Sequence, residues 1–168
     1  MSYAGRYLSI VVTSVTILIF LVLRFANLAY AVEPSTQTLL RHPGQSWLTN
    51  GGNLYNQRFS TLKQITTANV GSLKGVWRAR LNGSGVGVPF SGEAQPIVHD
   101  GVIYVITGAD DVFAIDVITG EFLWVYESGL DPAITTVCCG WTSRGVGFGE
   151  GKIFVGRLDG KLIALDIE

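Results

Sequence analysis

Residues 111–117 (DVFAIDV) are matched by residues 161–167 (KLIALDI), and this pair of segments carries the clearest signal of the fold. A second pair has the same spacing, because residues 100–105 (DGVIYV) are matched by residues 150–155 (EGKIFV). Both pairs are offset by 50 positions without a gap. A fixed period near 50 is typical of the blades of a β-propeller and not of helical or leucine-rich repeats.

Within one repeat, the sequence predicts four antiparallel strands. Apolar runs occupy residues 101–107, 112–116 and 121–126, and turns rich in Gly and Asp separate them. We expect a fourth strand just before the first of these runs, around residues 94–98. Four antiparallel strands form one propeller blade, so the predicted fold class is all-β.

An earlier, partial copy of the repeat ends near Trp77, which corresponds to the tryptophan of the later copy. Before it, residues 47–62 are polar and rich in Gly and Asn, which predicts a loop and an edge strand. Residues 65–73 are expected to form one helical turn, capped by Thr66 or Thr67.

The second copy stops at residue 168, before the turn and the tryptophan that complete the first copy. A repeat that stops within a blade exposes an unpaired strand edge. We therefore expect residues 32–168 to be the N-terminal, incomplete portion of a longer propeller. The alternative is a small two-blade sheet that dimerises.

The first 31 residues have the pattern of an export signal. Arg6 precedes an uncharged apolar run at residues 8–23, and a small-x-small cleavage pattern follows at residues 29–31. The run would be about 24 Å long as a helix, against about 30 Å of hydrocarbon in a bilayer. A signal peptide over residues 1–31 is predicted, with Arg24 leaving an uncleaved anchor as the alternative. Either way, the pattern predicts export to an oxidising compartment.

Charge excludes some classes of partner. The formal net charge is −1, and charged residues make up 15% of the chain. No basic stretch is present for binding nucleic acid, so the predicted partners do not include it. Contact with a membrane is expected only through the N-terminal segment.

Two adjacent cysteines, Cys138 and Cys139, are the only cysteines in the sequence. If they pair, the bridge must distort the peptide between them, because neighbouring Cα atoms lie about 3.8 Å apart. Such a bridge closes almost no loop and suggests a local role, such as a rigid, flat surface. The alternative is two buried thiols that happen to be neighbours. An oxidising compartment would permit the disulfide.

Other candidate signals are weak. The glycine-rich residues 83–87 lack the surrounding βαβ unit of a phosphate-binding loop. His42 and His99 have no neighbouring ligands at metal-binding spacing, so both are expected to be structural or exposed. Asp110 and Asp111 are expected in a blade turn. Trp141 is predicted to pack rather than to stack on a ligand.

The sequence resembles the pyrroloquinoline quinone (PQQ) dehydrogenases, periplasmic eight-bladed propellers that include methanol and ethanol dehydrogenases. Residues 114–124 (AIDVITGEFLW) are similar to their tryptophan-docking element, and residues 47–77 to their N-terminal signature. Cys138 and Cys139, with Arg144 six positions after Cys138, resemble their vicinal-disulfide motif. Glu93 lies in a stretch that resembles the one supplying an acidic cofactor contact.

The resemblance implies that Glu93, Cys138, Cys139 and Arg144 bind PQQ, with a disulfide between Cys138 and Cys139. PQQ is a flat tricyclic quinone with three carboxylates; a disulfide would stack on its face, and the planar fork of Arg144 suits a carboxylate. Glu93 is harder to explain, because an acid repels a polyacidic ligand unless it is protonated or bridged.

The resemblance also implies an activity: a periplasmic dehydrogenase that oxidises an alcohol and passes electrons to a cytochrome c. No catalytic residue or metal ligand is expected within this chain. The catalytic carboxylate and the ligands of the calcium or lanthanide ion are expected beyond residue 168, so residues 32–168 alone should be inactive. Two other functions stay open: a non-catalytic propeller scaffold of the outer-membrane assembly type, and a vicinal-dithiol redox protein.

Overall fold

The computed structural model describes residues 34–81, 90–135, 137 and 140–168. The predicted signal peptide, the glycine-rich stretch 83–87 and the cysteines Cys138 and Cys139 lie outside these residues. Among the described residues, no helix has the length and apolarity needed to cross a membrane.

The described residues contain few helices and several short strands. The helices are α1 at Thr36–Leu40 and a 3₁₀ turn at Val70–Ser72. The strands are β1 (Phe90–Ser91), β2 (Ile97–His99), β3 (Val102–Ile106), β4 (Val112–Asp116), β5 (Phe122–Tyr126), β6 (Trp141–Thr142), β7 (Gly147–Gly149), β8 (Lys152–Gly156) and β9 (Leu162–Asp166).

The strands form two blade-like antiparallel sheets with the 50-residue period that the sequence predicts. The first sheet has the order β2-β3-β4-β5, and the second has the order β7-β8-β9. In each sheet, the turn between the first two strands contains two residues with positive φ. Between β2 and β3, Asp100 has φ 46° and Gly101 has φ 77°. Between β7 and β8, Glu150 has φ 51° and Gly151 has φ 62°. Such turns match the right-handed twist of the strands that they join.

The core lies between the two sheets. Ile97 and Val112 of the first sheet and Ile153 of the second are fully buried in one apolar cluster. Side chains alternate along a strand, so Ile153 and Val155 of β8 lie on the same face of the second sheet. Both are buried in this cluster, so that face packs against the first sheet. This packing holds the two repeats in a fixed relationship and therefore positions the loops between them.

Each repeat also receives a tryptophan from the preceding one. The indole Nε1 of Trp77 donates a hydrogen bond to the carbonyl of Val117 at 3.1 Å. The indole Nε1 of Trp124 donates in the same way to Ile167 at 3.0 Å. The two acceptors are 50 positions apart, so the docking contact repeats with the sequence period. The predicted correspondence between Trp77 and Trp124 is confirmed.

The N-terminal region agrees with the sequence prediction in part. Trp47 exchanges two backbone hydrogen bonds with Val98, at 2.8 and 2.9 Å, and so adds one bridge to the edge of β2. The predicted helical turn is present as the 3₁₀ turn, but its N-cap is Asn69 and not a threonine. The Asn69 carboxamide instead accepts from the backbone N–H of Thr66 at 2.7 Å. The helix α1, capped by Ser35, was not anticipated.

Candidate functional site

Two segments that lead into the two sheets run parallel to each other. Phe90 is paired with Trp141 and Ser91 with Thr142, whereas Gln95 is paired with Gly145. Three residues, 92–94, therefore lie opposite two residues, 143 and 144. An extra residue on one strand bends it locally and redirects its side chains. Glu93 is the middle residue of this irregular stretch.

This arrangement brings two of the predicted site residues together. One carboxylate oxygen of Glu93 lies 3.4 Å from Nη2 of Arg144, although the residues are 51 positions apart in the chain. Their side chains are 49% and 83% exposed, respectively. An ion pair so exposed contributes little to folding stability. The pair therefore presents charge and hydrogen-bond donors at a surface and does little to hold the fold together.

The backbone of Arg144 is held from two sides. Its carbonyl oxygen accepts a hydrogen bond from the N–H of Gln95 at 3.3 Å and another from Nδ2 of Asn50 at 3.3 Å. Asn50 belongs to the N-terminal segment, residues 47–62, for which the sequence predicted a loop and an edge strand. Its contact with Arg144 spans 94 positions, so no local pattern could have revealed it.

The loop between β5 and β6, which carries the cysteines in its undescribed part, is fixed at both of its ends. At its start, the backbone N–H of Ser128 donates to Oδ1 of Asp111 at 2.7 Å, and the Ser128 hydroxyl bonds to the carbonyl of Ala109. At its end, Nε1 of Trp141 donates to the carbonyl of Ile134 at 2.9 Å. The ring of Trp141 is buried in an apolar cluster, which confirms the prediction that it packs.

A partly buried polar cluster contacts the start of this loop and was not predicted as a unit. Arg157 donates from Nη1 to the hydroxyl of Tyr126 and from Nη2 to the carbonyl of Ser128, both at 2.9 Å. Its Nη2 also lies 3.1 Å from the carboxylate of Asp159. These contacts join β5 and the start of the loop to the turn between β8 and β9. They give partners to Nη1 and Nη2 of a guanidinium that would be costly to bury alone, whereas its buried Nε has no hydrogen-bond partner among the described residues.

Asp110 is the most deeply buried carboxyl group of the described residues, with 1% of its surface exposed. It occupies the blade turn that the sequence predicted, and its Oδ2 accepts from the N–H of Leu158 at 2.7 Å. Burial raises the pKa of this carboxyl group above its ordinary value, against the lowering effects of the Leu158 hydrogen bond and of Arg157. The hydrogen bond between Asp110 and Leu158 thus joins the first repeat to the second.

The two histidines have structural surroundings, as predicted. His42 is exposed and makes an edge-on contact with Phe59, whose ring centroid lies 5.3 Å away. His99 stacks in a tilted geometry on Phe148 with centroids 4.5 Å apart. Within residues 34–81, 90–135, 137 and 140–168, no three His, Cys, Asp or Glu side chains form a group that could hold a metal ion.

The exposed pair of Glu93 and Arg144 has the chemistry needed to bind an anionic, planar ligand. A guanidinium presents its donors in a fixed plane that matches a carboxylate, and Arg144 leaves most of its side chain accessible. The position of Glu93 also answers the question that the sequence raised. Because Arg144 lies against Glu93, its positive charge stands beside the acid and offsets the repulsion between Glu93 and a carboxylated ligand. Of the predicted site residues, the two that the structure describes therefore suit a carboxylated ligand, as PQQ is.

Comparison with known proteins identifies the family of the chain. Residues 47–168 match the PQQ family model, described as the glucose/ethanol/alcohol dehydrogenase β-propeller domain. Quinohemoprotein alcohol dehydrogenase ADH IIB of Pseudomonas putida is 40% identical over 147 residues, which are 84% of this chain and 20% of that protein. The 1-butanol dehydrogenase (cytochrome c) of Thauera butanivorans is 43% identical over 129 residues, which are 73% of this chain and 17% of that protein.

A solved structure shows the same fold. The crystal structure of quinohemoprotein alcohol dehydrogenase from Comamonas testosteroni superposes with a TM-score of 0.71 at 37% identity, covering 82% of this chain and 20% of that one. The propeller architecture is therefore confirmed for the part that is present, while the count of eight blades stays a prediction. The chain spans about a fifth of the length of the curated relatives that it matches. It belongs to the PQQ family of glucose, ethanol and alcohol dehydrogenase β-propellers.

Proposed function

We propose that this chain is the N-terminal part of a periplasmic PQQ-dependent dehydrogenase that oxidises an alcohol and passes the electrons to a cytochrome c. The observation that supports it most directly is the contact between Glu93 and Arg144 at 3.4 Å. Two residues singled out from distant sequence motifs lie in one exposed cluster, with the donors that a carboxylated quinone requires.

In this proposal the residues of the chain bind and orient the cofactor. Arg144 donates paired hydrogen bonds to a carboxylate of PQQ, and Glu93 restrains the guanidinium through their mutual contact. Cys138 and Cys139 form a disulfide that offers a flat surface for one face of the ring system. When bound, PQQ supplies the two-electron acceptor for alcohol oxidation.

The compartment and the electron acceptor belong to the same proposal. The signal-like pattern in residues 1–31 supports export to the periplasm, where a disulfide persists. The name of the Thauera relative, a 1-butanol dehydrogenase that uses cytochrome c, supports both an alcohol substrate and a cytochrome partner. The described residues do not fit a metal site. We therefore assign the expected calcium or lanthanide ion no ligand among them and no role in these steps.

Reconstitution of the full-length apoprotein tests this function. Titration with PQQ should give saturable binding, and the loaded protein should reduce an artificial electron-accepting dye when an alcohol is added. Arg144→Ala should weaken PQQ binding. Full-length protein that binds no PQQ, and whose cysteines titrate reversibly as a dithiol, would contradict the proposal and favour a redox protein.

A second measurement concerns this chain by itself. Purified residues 32–168, supplied with PQQ and calcium, should show no dye-linked alcohol oxidation, because the catalytic carboxylate is expected in a later part of the protein. Measurable turnover by this segment would contradict that assignment.

A further inference from the structure

We propose that Asn50 is a positioning residue for Arg144, holding the backbone from which the cofactor-binding guanidinium extends. The inference rests on the proposed PQQ site and deepens it by assigning a role to the N-terminal segment. Three parts of the chain meet at this point: residues 49–52, the stretch that contains Glu93 and Gln95, and residues 144–145.

The segment that carries Asn50 is itself well anchored. Trp47 is bonded to Val98 in both directions, at 2.8 and 2.9 Å. The chain then turns, and the N–H of Gly52 donates to the carbonyl of Thr49 at 2.9 Å. Gly52 is needed there, because a Cβ at this position would lie 2.9 Å from the Trp47 ring, and its φ is +84°. Asn50 therefore projects from a turn whose base is bonded to β2.

Asn50 fits closely against residues 144 and 145. Its Nδ2 donates to the carbonyl of Arg144 at 3.3 Å. A Cβ added to Gly145 would lie 2.6 Å from Oδ1 of Asn50 and 2.8 Å from Nδ2, and the φ of Gly145 is +138°. The absence of a side chain at Gly145 is what lets the carboxamide approach the backbone so closely.

This contact matters for Arg144 because its side chain is 83% exposed. A side chain with few packing neighbours depends on its backbone for placement. The carbonyl of Arg144 is bonded to Gln95 as well as to Asn50, so the peptide after Arg144 is restrained from the strand and from the N-terminal segment together. Loss of Asn50 removes one restraint and increases the freedom that PQQ binding must then remove.

Equilibrium titration of the full-length apoprotein with PQQ provides the test. Asn50→Ala removes the carboxamide, and Asn50→Leu keeps nearly the same shape without adding charge but cannot donate to the Arg144 carbonyl. Both variants should raise the Kd for PQQ by about five- to tenfold, a loss typical of one hydrogen bond. The kcat measured at saturating PQQ should stay near that of the wild type, because Asn50 contacts no reacting atom.

Asn69→Ala is the matched control. Asn69 also bonds to backbone through its carboxamide, accepting from Thr66 at 2.7 Å and donating to Gln64 at 2.8 Å, in another exposed turn. It should leave the Kd for PQQ unchanged. The melting temperature of each variant, measured in parallel, reports any general loss of folding.

The outcomes separate the two proposals. A wild-type protein that does not bind PQQ overturns the proposed function and this inference with it. A wild-type protein that binds PQQ, with unchanged affinity in both Asn50 variants, overturns the positioning role alone. An equal rise in Kd for Asn69→Ala also overturns it, because the effect would then follow from loosened loops in general.

Discussion

The indole ring of Trp77 occupies the space that a side chain on Gly120 would need. A Cβ built on Gly120 would lie 2.5 Å from Cδ2 of the ring, and the φ of Gly120 is +75°. The same indole donates to the carbonyl of Val117. Docking therefore requires both a turn with an available carbonyl and a glycine that leaves room for the ring.

Gly120→Ala should destabilise the full-length protein through the Trp77 contact. Overpacking of this kind costs about 1–3 kcal/mol, in addition to about 1 kcal/mol for a non-glycine residue at positive φ. Gly129→Ala is the control for the cost of a non-glycine residue at positive φ. Gly129 has φ +60°, and nothing lies within 4 Å of its added Cβ. Urea denaturation midpoints measure the difference. Equal losses in the two variants would show that the ring moves aside without cost.

Arg144→Lys should weaken PQQ binding by about tenfold, because an ammonium group cannot donate the paired hydrogen bonds of a guanidinium. Folding stability should not change, since the Arg144 side chain is 83% exposed. Fluorescence or absorbance titration with PQQ measures the affinity. Arg41→Lys, at the exposed end of α1, is the control and should bind as the wild type does. Full affinity in Arg144→Lys would mean that charge alone is recognised.

Asp110→Asn should change how stability depends on pH. Burial raises the pKa of Asp110 in the folded state, so the folded protein holds this proton more tightly than the unfolded chain does. The contribution of Asp110 to stability is therefore present at low pH. It is lost as the pH rises from the ordinary carboxyl pKa, about 4, through the raised value.

In Asp110→Asn, this loss of stability with rising pH should disappear, because an amide does not titrate. The local geometry should be kept, because Asn tolerates the φ of +61° and its side-chain oxygen can accept from the N–H of Leu158. Urea unfolding at several pH values measures the effect. Asp131→Asn is the control, since its carboxylate accepts one backbone hydrogen bond, from Ala133 at 2.8 Å, and Asp110 and the charges that act on it are left intact. If the pH dependence persists in Asp110→Asn, the buried carboxyl group is not its source.

Asp116→Ala should show the opposite dependence. Hydrogen bonds from the N–H groups of Thr119 and Ile118 lower the pKa of the Asp116 carboxyl group. Its contribution to stability is present above the ordinary carboxyl pKa and is lost as the pH falls through the lowered value. The destabilisation by Asp116→Ala should therefore be larger near neutral pH than in acid.

Asp131→Ala is the control for Asp116→Ala, because Asp131 accepts one backbone hydrogen bond, from Ala133 at 2.8 Å. Asp131→Ala should lower the stability of the folded protein at neutral pH by less than Asp116→Ala does. Thermal melts recorded in buffers at several pH values would test this. A loss in Asp116→Ala that is the same at all pH values would contradict the proposed role of the ionised form.

Much of the architecture was predictable from local patterns. The strand runs and the correspondence of Trp77 with Trp124 follow from periodicity, because alternation within a strand and the spacing of a repeat are written in contiguous residues. The helix α1 was missed because it has five residues and begins at a single capping serine. The cap of the 3₁₀ turn was misassigned because several polar side chains there compete for the same N–H groups.

The sequence by itself determined the all-β repeat, because that fold depends on residue types at a fixed period, whereas Glu93 and Arg144 were nominated by the resemblance to a known family. Only the tertiary structure decided that these two side chains lie 3.4 Å apart and that Asn50 supports Arg144. It also joined Asp110 to Leu158 and Arg157 to Tyr126 across the two repeats. Those contacts depend on how one sheet packs on the next, a relationship set by the buried core as a whole and not written in any contiguous segment.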